Sequence, residues 1–284
     1  MTSWLERRVI AYAHQGGSFE GPSSTLFAIA RALDRGATAI ELDVHATRDR
    51  TVVVCHDESV DRTTNHRGEI AALDFEELRS MDNAYWWVPG DVVAPGRPAE
   101  QYEYRGRAPA DRHFAVASLE EVSSAFPGVL LNLDLKRSAP DVEPYEELLA
   151  SELRRLERTD SVMVASFHDA VIQAFRSYAP EVATSAATLE TAAFYFSVLA
   201  NAAPALAPVS AFQVPSSVGD VTVVDERFVE SAHRSGVAVH VWTINDVDEM
   251  NRLLDLGVDG IISDTPTRLA ELLRERNCAW DGVL

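Results

Sequence analysis

Short β-branched runs separated by amphipathic helical stretches recur along almost the whole chain, and no other feature restricts its fold so strongly. Strands are expected at VIAYA (9–13), AIELDV (39–44), VLLNLDL (129–135), VMVASF (162–167), VATSAAT (182–188), SAFQV (210–214), VHVWTI (239–244) and GIIS (260–263). The intervening stretches carry helix signals. STLFAIARALDRG has serines to cap its start and Gly36 to end it, while TPTRLAELLRER has Pro266 at an early helical position. YEELLASELRRLE and DEMNRLLDLG follow the same logic. Eight strands alternating with helices in 284 residues predict an α/β fold, an irregular (β/α)8 TIM barrel forming a single domain over 1–284. A doubly wound open sheet is the runner-up. In such a barrel the chemistry gathers at the C-terminal ends of the strands.

Two segments break the alternation. VVVC (52–55) follows Val44 too closely for a parallel crossover, so 39–57 is expected to double back as a β-hairpin. Residues 83–113 are rich in Pro, Gly and aromatics without a period and are expected to form an inserted loop at the C-terminal mouth.

The hairpin concentrates chemistry. A turn at Asp49–Arg50 would set His56 opposite Asp43, with Glu41 on the same face by the period of two. His14 ends the first strand, just before Gly16 and Gly17 let the backbone turn away. Asp134 and Lys136 share a face at the end of the third strand. Three carboxylates, Glu41, Asp43 and Asp134, offer hard oxygen ligands for Mg²⁺ or Ca²⁺, whereas zinc would call for cysteine or paired histidine ligands. Two imidazoles can act as acid and base near neutrality. A lysine beside a metal suits an anionic phosphoryl group, so the set points to phosphodiester cleavage. Asp134 and Lys136 could instead form a plain ion pair.

Charge and composition narrow the partners. The net charge of −19 argues against nonspecific nucleic-acid binding and against docking on anionic lipid. Two cysteines make no disulfide framework, and MTSWLERRV lacks a signal peptide's apolar core, so a cytoplasmic address is the simplest expectation. Residues 191–219 carry no charge, but Pro204, Pro208 and Pro215 argue against a spanning helix. A buried helix, a loop and a strand are preferred there over an apolar lip for a lipid-like substrate. His66, His113, His168, His233 and His240 are read as structural. Trp242 either lines the pocket or fills the barrel, and Trp86 and Trp87 either pack their own loop or wall the alcohol group.

AYAHQGG, PSSTLFAIARAL, GATAIELDVHATRDRTVVVCHDESVDRTT, LNLDLK, VASFHD, VWTIN and GVDGIISDTP, in that order, resemble glycerophosphodiester phosphodiesterases from about Val9 to Pro266. The resemblance implies an irregular TIM barrel that hydrolyses glycerophosphodiesters to glycerol phosphate and an alcohol. It implies His14 and His56 as the acid–base pair, Glu41, Asp43 and Asp134 as metal ligands, and Lys136 on the phosphate, with Gln15 and Trp242 also at the substrate. It further implies attack by the substrate's glycerol hydroxyl and a cyclic phosphate that water opens. Three positions depart from the family pattern: Gln15 stands for arginine, Ser23-Ser24 for Glu-Asn, and Asp134 for glutamate. The alternatives are lysophospholipase D-type cleavage of lipid-like diesters, a non-catalytic phosphoryl-ligand binding barrel, and an isomerase or aldolase that stabilises an enolate.

Overall fold

A computed structural model of the chain describes residues 4–136, 145–203, 206 and 208–282. Its strands are β1 (Ile10–His14), β2 (Ala39–Ala46), β3 (Val52–Val54), β4 (Ala117–Ser118), β5 (Leu130–Leu135), β6 (Val162–Ala165), β7 (Ala183–Thr184), β8 (Ala211–Pro215), β9 (Ser217–Val218), β10 (Val221–Thr222), β11 (Ala238–Trp242) and β12 (Gly260–Ser263). The helices are α1 (Leu26–Asp34), α2 (Phe75–Leu78), α3 (Leu119–Ala125), α4 (Tyr145–Arg155), α5 (Asp169–Tyr178), α6 (Thr188–Leu199), α7 (Glu226–Arg234), α8 (Val247–Leu256) and α9 (Pro266–Glu275). Eight parallel strands run in the order β7–β6–β5–β2–β1–β12–β11–β8. The two outer strands meet through a parallel bridge between Ser185 and Ala211, and Ser210 N donates to Thr184 O at 2.8 Å, which nearly closes the barrel. The fold is the expected TIM barrel, with the VATSAAT strand reduced to two residues and that bridge.

Strand periodicity explains the layering. Outward-facing Ile40, Leu42, Leu131, Leu133, Val162 and Val164 pack on helix residues such as Ile29, Leu149, Leu153 and Phe175. Inward-facing Ile10, Tyr12, Ala39, Leu130, Met163, Ala211, Ala238 and Ile262 fill the lower barrel. One position there tolerates only glycine, because a Cβ on Gly260 would stand 2.9 Å from His240 Cδ2 and 3.0 Å from Tyr12 Cε2.

Local signals act largely as expected, with one change at α1. The cap is Thr25, whose hydroxyl accepts from Ala28 N at 3.2 Å, and not the serines before it, since Ser24 has φ 57°. Gly257 ends α8 in the left-handed conformation and Pro266 opens α9.

The hairpin forms, but its register differs by one residue from the expected one. Val44 faces Val54, His45 faces Val53, and Cys55 N donates to Asp43 O at 3.0 Å, so Asp43 lies opposite Cys55 and not His56. The cause is the turn. Arg48–Arg50 make a three-residue loop with Arg50 left-handed at φ 64°, and Thr47 N donates to Thr51 O at 3.0 Å. β4, not anticipated from the sequence, pairs with β3 and leads into α3.

The insertion sits against the first strand–helix loop, since Trp87 Nε1 donates to Ser18 O at 2.8 Å and Gly90 N to Phe19 O at 2.8 Å. Its aromatics pack on themselves. Trp87 stacks on Tyr104 at 5.3 Å, and Trp86 meets Tyr102 edge-on at 6.0 Å. Within 191–219 the expected helix and strand appear as α6 and β8. α6 buries Phe194 and Val198 yet leaves Leu189, Phe196 and Leu199 exposed. Among the described residues no helix is long and apolar enough to cross a membrane.

Candidate active site

Continuing each strand's inward face to its C-terminal end replaces apolar residues by charged ones. β1 ends in His14 above Tyr12, β2 carries Glu41, Asp43 and His45 above Ala39, and β5 carries Asp134 above Asn132. The register brings them together, because His14 pairs with Glu41, and Asp43 pairs with Asp134. Lys136 Nζ bridges the two aspartates, 2.8 Å from Asp43 Oδ1 and 2.6 Å from Asp134 Oδ2. Glu41 Oε2 lies 3.8 Å from His14 Nε2 and accepts from Gln15 N at 3.2 Å. Six of the expected residues, His14, Gln15, Glu41, Asp43, Asp134 and Lys136, thus form one contiguous group. Gln15 has φ 51°, and its side-chain amide lies 3.5 Å from His14 Nε2.

His56 joins this group by a different route from the expected cross-strand pairing. The chain leaves the ladder after Cys55, and His45 Nε2 contacts His56 O at 3.3 Å. The half-exposed His56 ring then stands within electrostatic reach of Asp134. Trp242 closes the inward face of β11 and meets the ring of Phe167 edge-on at 5.5 Å. Phe167 in turn lies 6.0 Å from Lys136 Nζ.

Each catalytic-candidate histidine has an aspartate on its Nδ1. His14 Nδ1 lies 2.6 Å from Asp264 Oδ1, and His56 Nδ1 lies 2.6 Å from Asp57 Oδ1. Each aspartate is itself held. Ser18 Oγ donates to Asp264 Oδ1 and Asn245 Nδ2 to Asp264 Oδ2 at 2.8 Å, while Arg62 donates through Nε and Nη2 to Asp57. Both imidazoles are thereby oriented with Nε2 away from the carboxylate, the arrangement that fixes tautomer and direction in acid–base catalysis. The roles of Asp264, Asp57, Arg62 and His45 were not anticipated. Period two from Glu41 would have found His45, whereas Asp264 meets His14 only through the pairing of β1 with β12.

The electrostatics follow from crowding. Burial works against the charged form of His14, but the hydrogen bond to Asp264 and the carboxylates of Glu41, Asp264 and Asp43 outweigh it, raising the pKa to about 9. Burial beside Asp43 pushes Glu41 up to about 8. Asp134 is raised by burial, which outweighs Lys136. Burial likewise opposes the charge on Lys136, yet Asp43 and Asp134 raise its pKa. Burial also opposes the charge on Asp57 and Asp264, but their donors hold both below the usual carboxylate range. His45 is lowered by burial and serves as a neutral donor.

The barrel thus presents two oriented imidazoles beside a carboxylate–ammonium cluster at its C-terminal mouth. Residues 14–268 match the Glycerophosphoryl diester phosphodiesterase family, so the chain belongs to that family and is a phosphoric diester hydrolase. A glycerophosphodiester phosphodiesterase from Caldanaerobacter subterraneus subsp. tengcongensis is 28% identical over 268 residues, covering 94% of this chain and 99% of the relative. Probable glycerophosphodiester phosphodiesterase 2 of Mycobacterium tuberculosis is 29% identical over 280 residues, 96% of this chain and 94% of the relative. Among solved structures, the glycerophosphoryl diester phosphodiesterase domain of Rv2277c from M. tuberculosis superposes with a TM-score of 0.78 at 20% identity, covering 93% of this chain and 99% of that one. An Oleispira antarctica phosphodiesterase in complex with the product sn-glycerol-3-phosphate has a TM-score of 0.70 at 22% identity, covering 96% and 100%.

Proposed function

We propose that this chain hydrolyses glycerophosphodiesters to glycerol phosphate and an alcohol, with His14 and His56 exchanging protons at one phosphorus centre. The observation that carries this is the pair of histidine–aspartate contacts, both 2.6 Å, bordering a single carboxylate cluster. Crowding by carboxylates keeps His14 protonated at neutral pH, which suits it to protonate the leaving alcohol. His56 then takes the proton from the attacking hydroxyl, the substrate's own glycerol oxygen. Attack closes a cyclic phosphate and breaks the bond to the alcohol. Water opens the ring with the two roles reversed. Lys136 and Gln15 face the phosphoryl oxygens, and Trp242 the carbon skeleton.

A divalent cation fits the donor set. Glu41, Asp43 and Asp134 are hard oxygen donors, Asp43 Oδ2 is buried without a hydrogen-bond partner, and the Lys136 ammonium already holds a cation's position between two of them. Among the described residues no three such side chains stand close enough together to hold an ion as they are placed. When bound, Mg²⁺ or Ca²⁺ would neutralise charge developing on the phosphoryl group. We place the chain in the cytoplasm, in keeping with free cysteines at Cys55 and Cys278, and treat it as one catalytic domain.

The test is a panel of glycerophosphodiesters assayed for glycerol phosphate, with chelator and after adding back Mg²⁺ or Ca²⁺. Release that stops on chelation and returns with one cation is expected. Binding of the diesters without turnover under every condition would establish the non-catalytic alternative.

A further inference from the structure

The two imidazoles belong to different parts of the chain, His14 at the end of β1 and His56 in the loop after β3, and an aspartate orients each. The contacts that hold these two loops therefore set the separation of the rings. The insertion touches both loops with two consecutive side chains. Trp87 Nε1 donates to Ser18 O at 2.8 Å, and Trp86 Nε1 donates to Thr64 O at 2.8 Å. Each acceptor residue is buried and belongs to the support of one histidine. Ser18 Oγ donates to Asp264, which holds His14 Nδ1. Thr64 closes a turn, its N and Oγ1 donating to Val60 O at 3.1 and 2.8 Å. That turn carries Arg62, which donates to Asp57, the partner of His56 Nδ1.

The indoles are fixed in their turn. Trp87 is buried and stacks on Tyr104 at 5.3 Å, and Tyr104 stacks on Phe114 at 5.1 Å. Trp86 is half-buried and meets Tyr85 edge-on at 4.7 Å. The Arg105 guanidinium lies 4.8 Å from the Trp86 ring and 3.4 Å from that of Tyr102, and its Nε donates to Tyr85 O at 2.8 Å. Both indole N–H groups end on backbone carbonyls, so neither has a donor left for a ligand.

We propose that Trp86 and Trp87 are positioning residues, and that the insertion is a brace which sets the separation of the two imidazoles. Each tryptophan acts through one histidine–aspartate pair. The proposal rests on the diesterase reading above and names residues that serve the same site. Adjacent residues are joined through one planar peptide, so the two loops hang on a common unit and do not drift independently. Two groups that act on one phosphorus need that constraint, since a displacement of about 1 Å can cost about 10²-fold in rate.

The experiment uses Trp86→Phe and Trp87→Phe, which keep an aromatic ring and delete the donor. In each, kcat for glycerophosphocholine is expected to fall about tenfold or more, with KM changed less than about twofold. The second readout is the nitrogen NMR spectrum of protein labelled in its histidine rings, with signals assigned by His14→Ala and His56→Ala. Trp87→Phe should move the His14 signals and leave those of His56 in place, and Trp86→Phe should do the reverse. A rise in KM with unchanged kcat overturns the brace and returns the tryptophans to a wall for the alcohol. Unchanged kcat in Trp86→Phe also overturns it, as does an equal displacement of both rings by each variant, the mark of general loosening. Should Trp87→Phe fail to fold, Trp86→Phe at its half-buried position decides alone. Absence of turnover in the wild type overturns the diesterase reading, and the ring signals then still decide whether each tryptophan governs one imidazole.

Discussion

Asp264 receives His14 Nδ1 at 2.6 Å while Ser18 and Asn245 occupy its oxygens, so a single carboxylate decides which nitrogen of the ring faces the mouth. Asn245 also accepts from Asp264 N at 2.8 Å, and the carboxylate has no freedom to turn. Asp264→Asn should keep the fold and lose activity, because an amide cannot stabilise the imidazolium and can present a donor where an acceptor is needed. A fall in kcat of about 10²- to 10⁴-fold with a nearly unchanged KM is expected in steady-state assays. Nothing in the spacing of the sequence connects positions 14 and 264. Only the pairing of β1 with β12 on barrel closure brings them together, which is why His14 was legible as a site residue and its partner was not. The same holds for His45. It follows Asp43 on one strand face and was legible by period, but its contact to His56 O depends on where the hairpin turns.

At the scale of elements, the hairpin and β11 show where reading stops. That β2 and β3 double back follows from the short connection between them. Their register does not, because a two-residue and a three-residue turn are both compatible with the residues around Asp49, and one step changes which side chains are opposed. His56 still reaches the cluster because the chain leaves β3 at Cys55. In β11, His240 was read as structural, and it is fully buried against Tyr12, whose hydroxyl lies 3.3 Å from Nδ1. Burial pushes its pKa from the ordinary 6.5 down to about 3, so the folded ring is neutral where the unfolded one charges. The sign is therefore fixed. This residue costs nothing above pH 6.5 and destabilises progressively as pH falls from 6.5 towards 3, by up to about 1.4 kcal/mol per pH unit. Denaturant midpoints measured at pH 7 and pH 5 should fall less in His240→Gln than in the wild type. An equal fall in the two proteins would contradict the assignment.

At the scale of the whole molecule, the barrel is a gradient. Apolar side chains fill its lower interior, charged ones crowd the C-terminal mouth, and the insertion is tied to the first loop through Trp87. The eight-strand alternation made this architecture legible, and the strand ends located the mouth. The exposed Phe196 and Leu199 of α6 were legible only as part of an uncharged stretch, since exposure depends on which face of the helix the neighbouring elements cover. The central claim is that two imidazoles serve one phosphorus centre, and the direct measurement is glycerol phosphate release by His14→Ala, His56→Ala and the double variant, each checked for an unchanged unfolding transition. Each single substitution should lower kcat by about 10²- to 10⁴-fold, and the double variant should lose little more than the worse single one, because groups acting as a unit are not additive. Near wild-type release by either single variant would contradict the account.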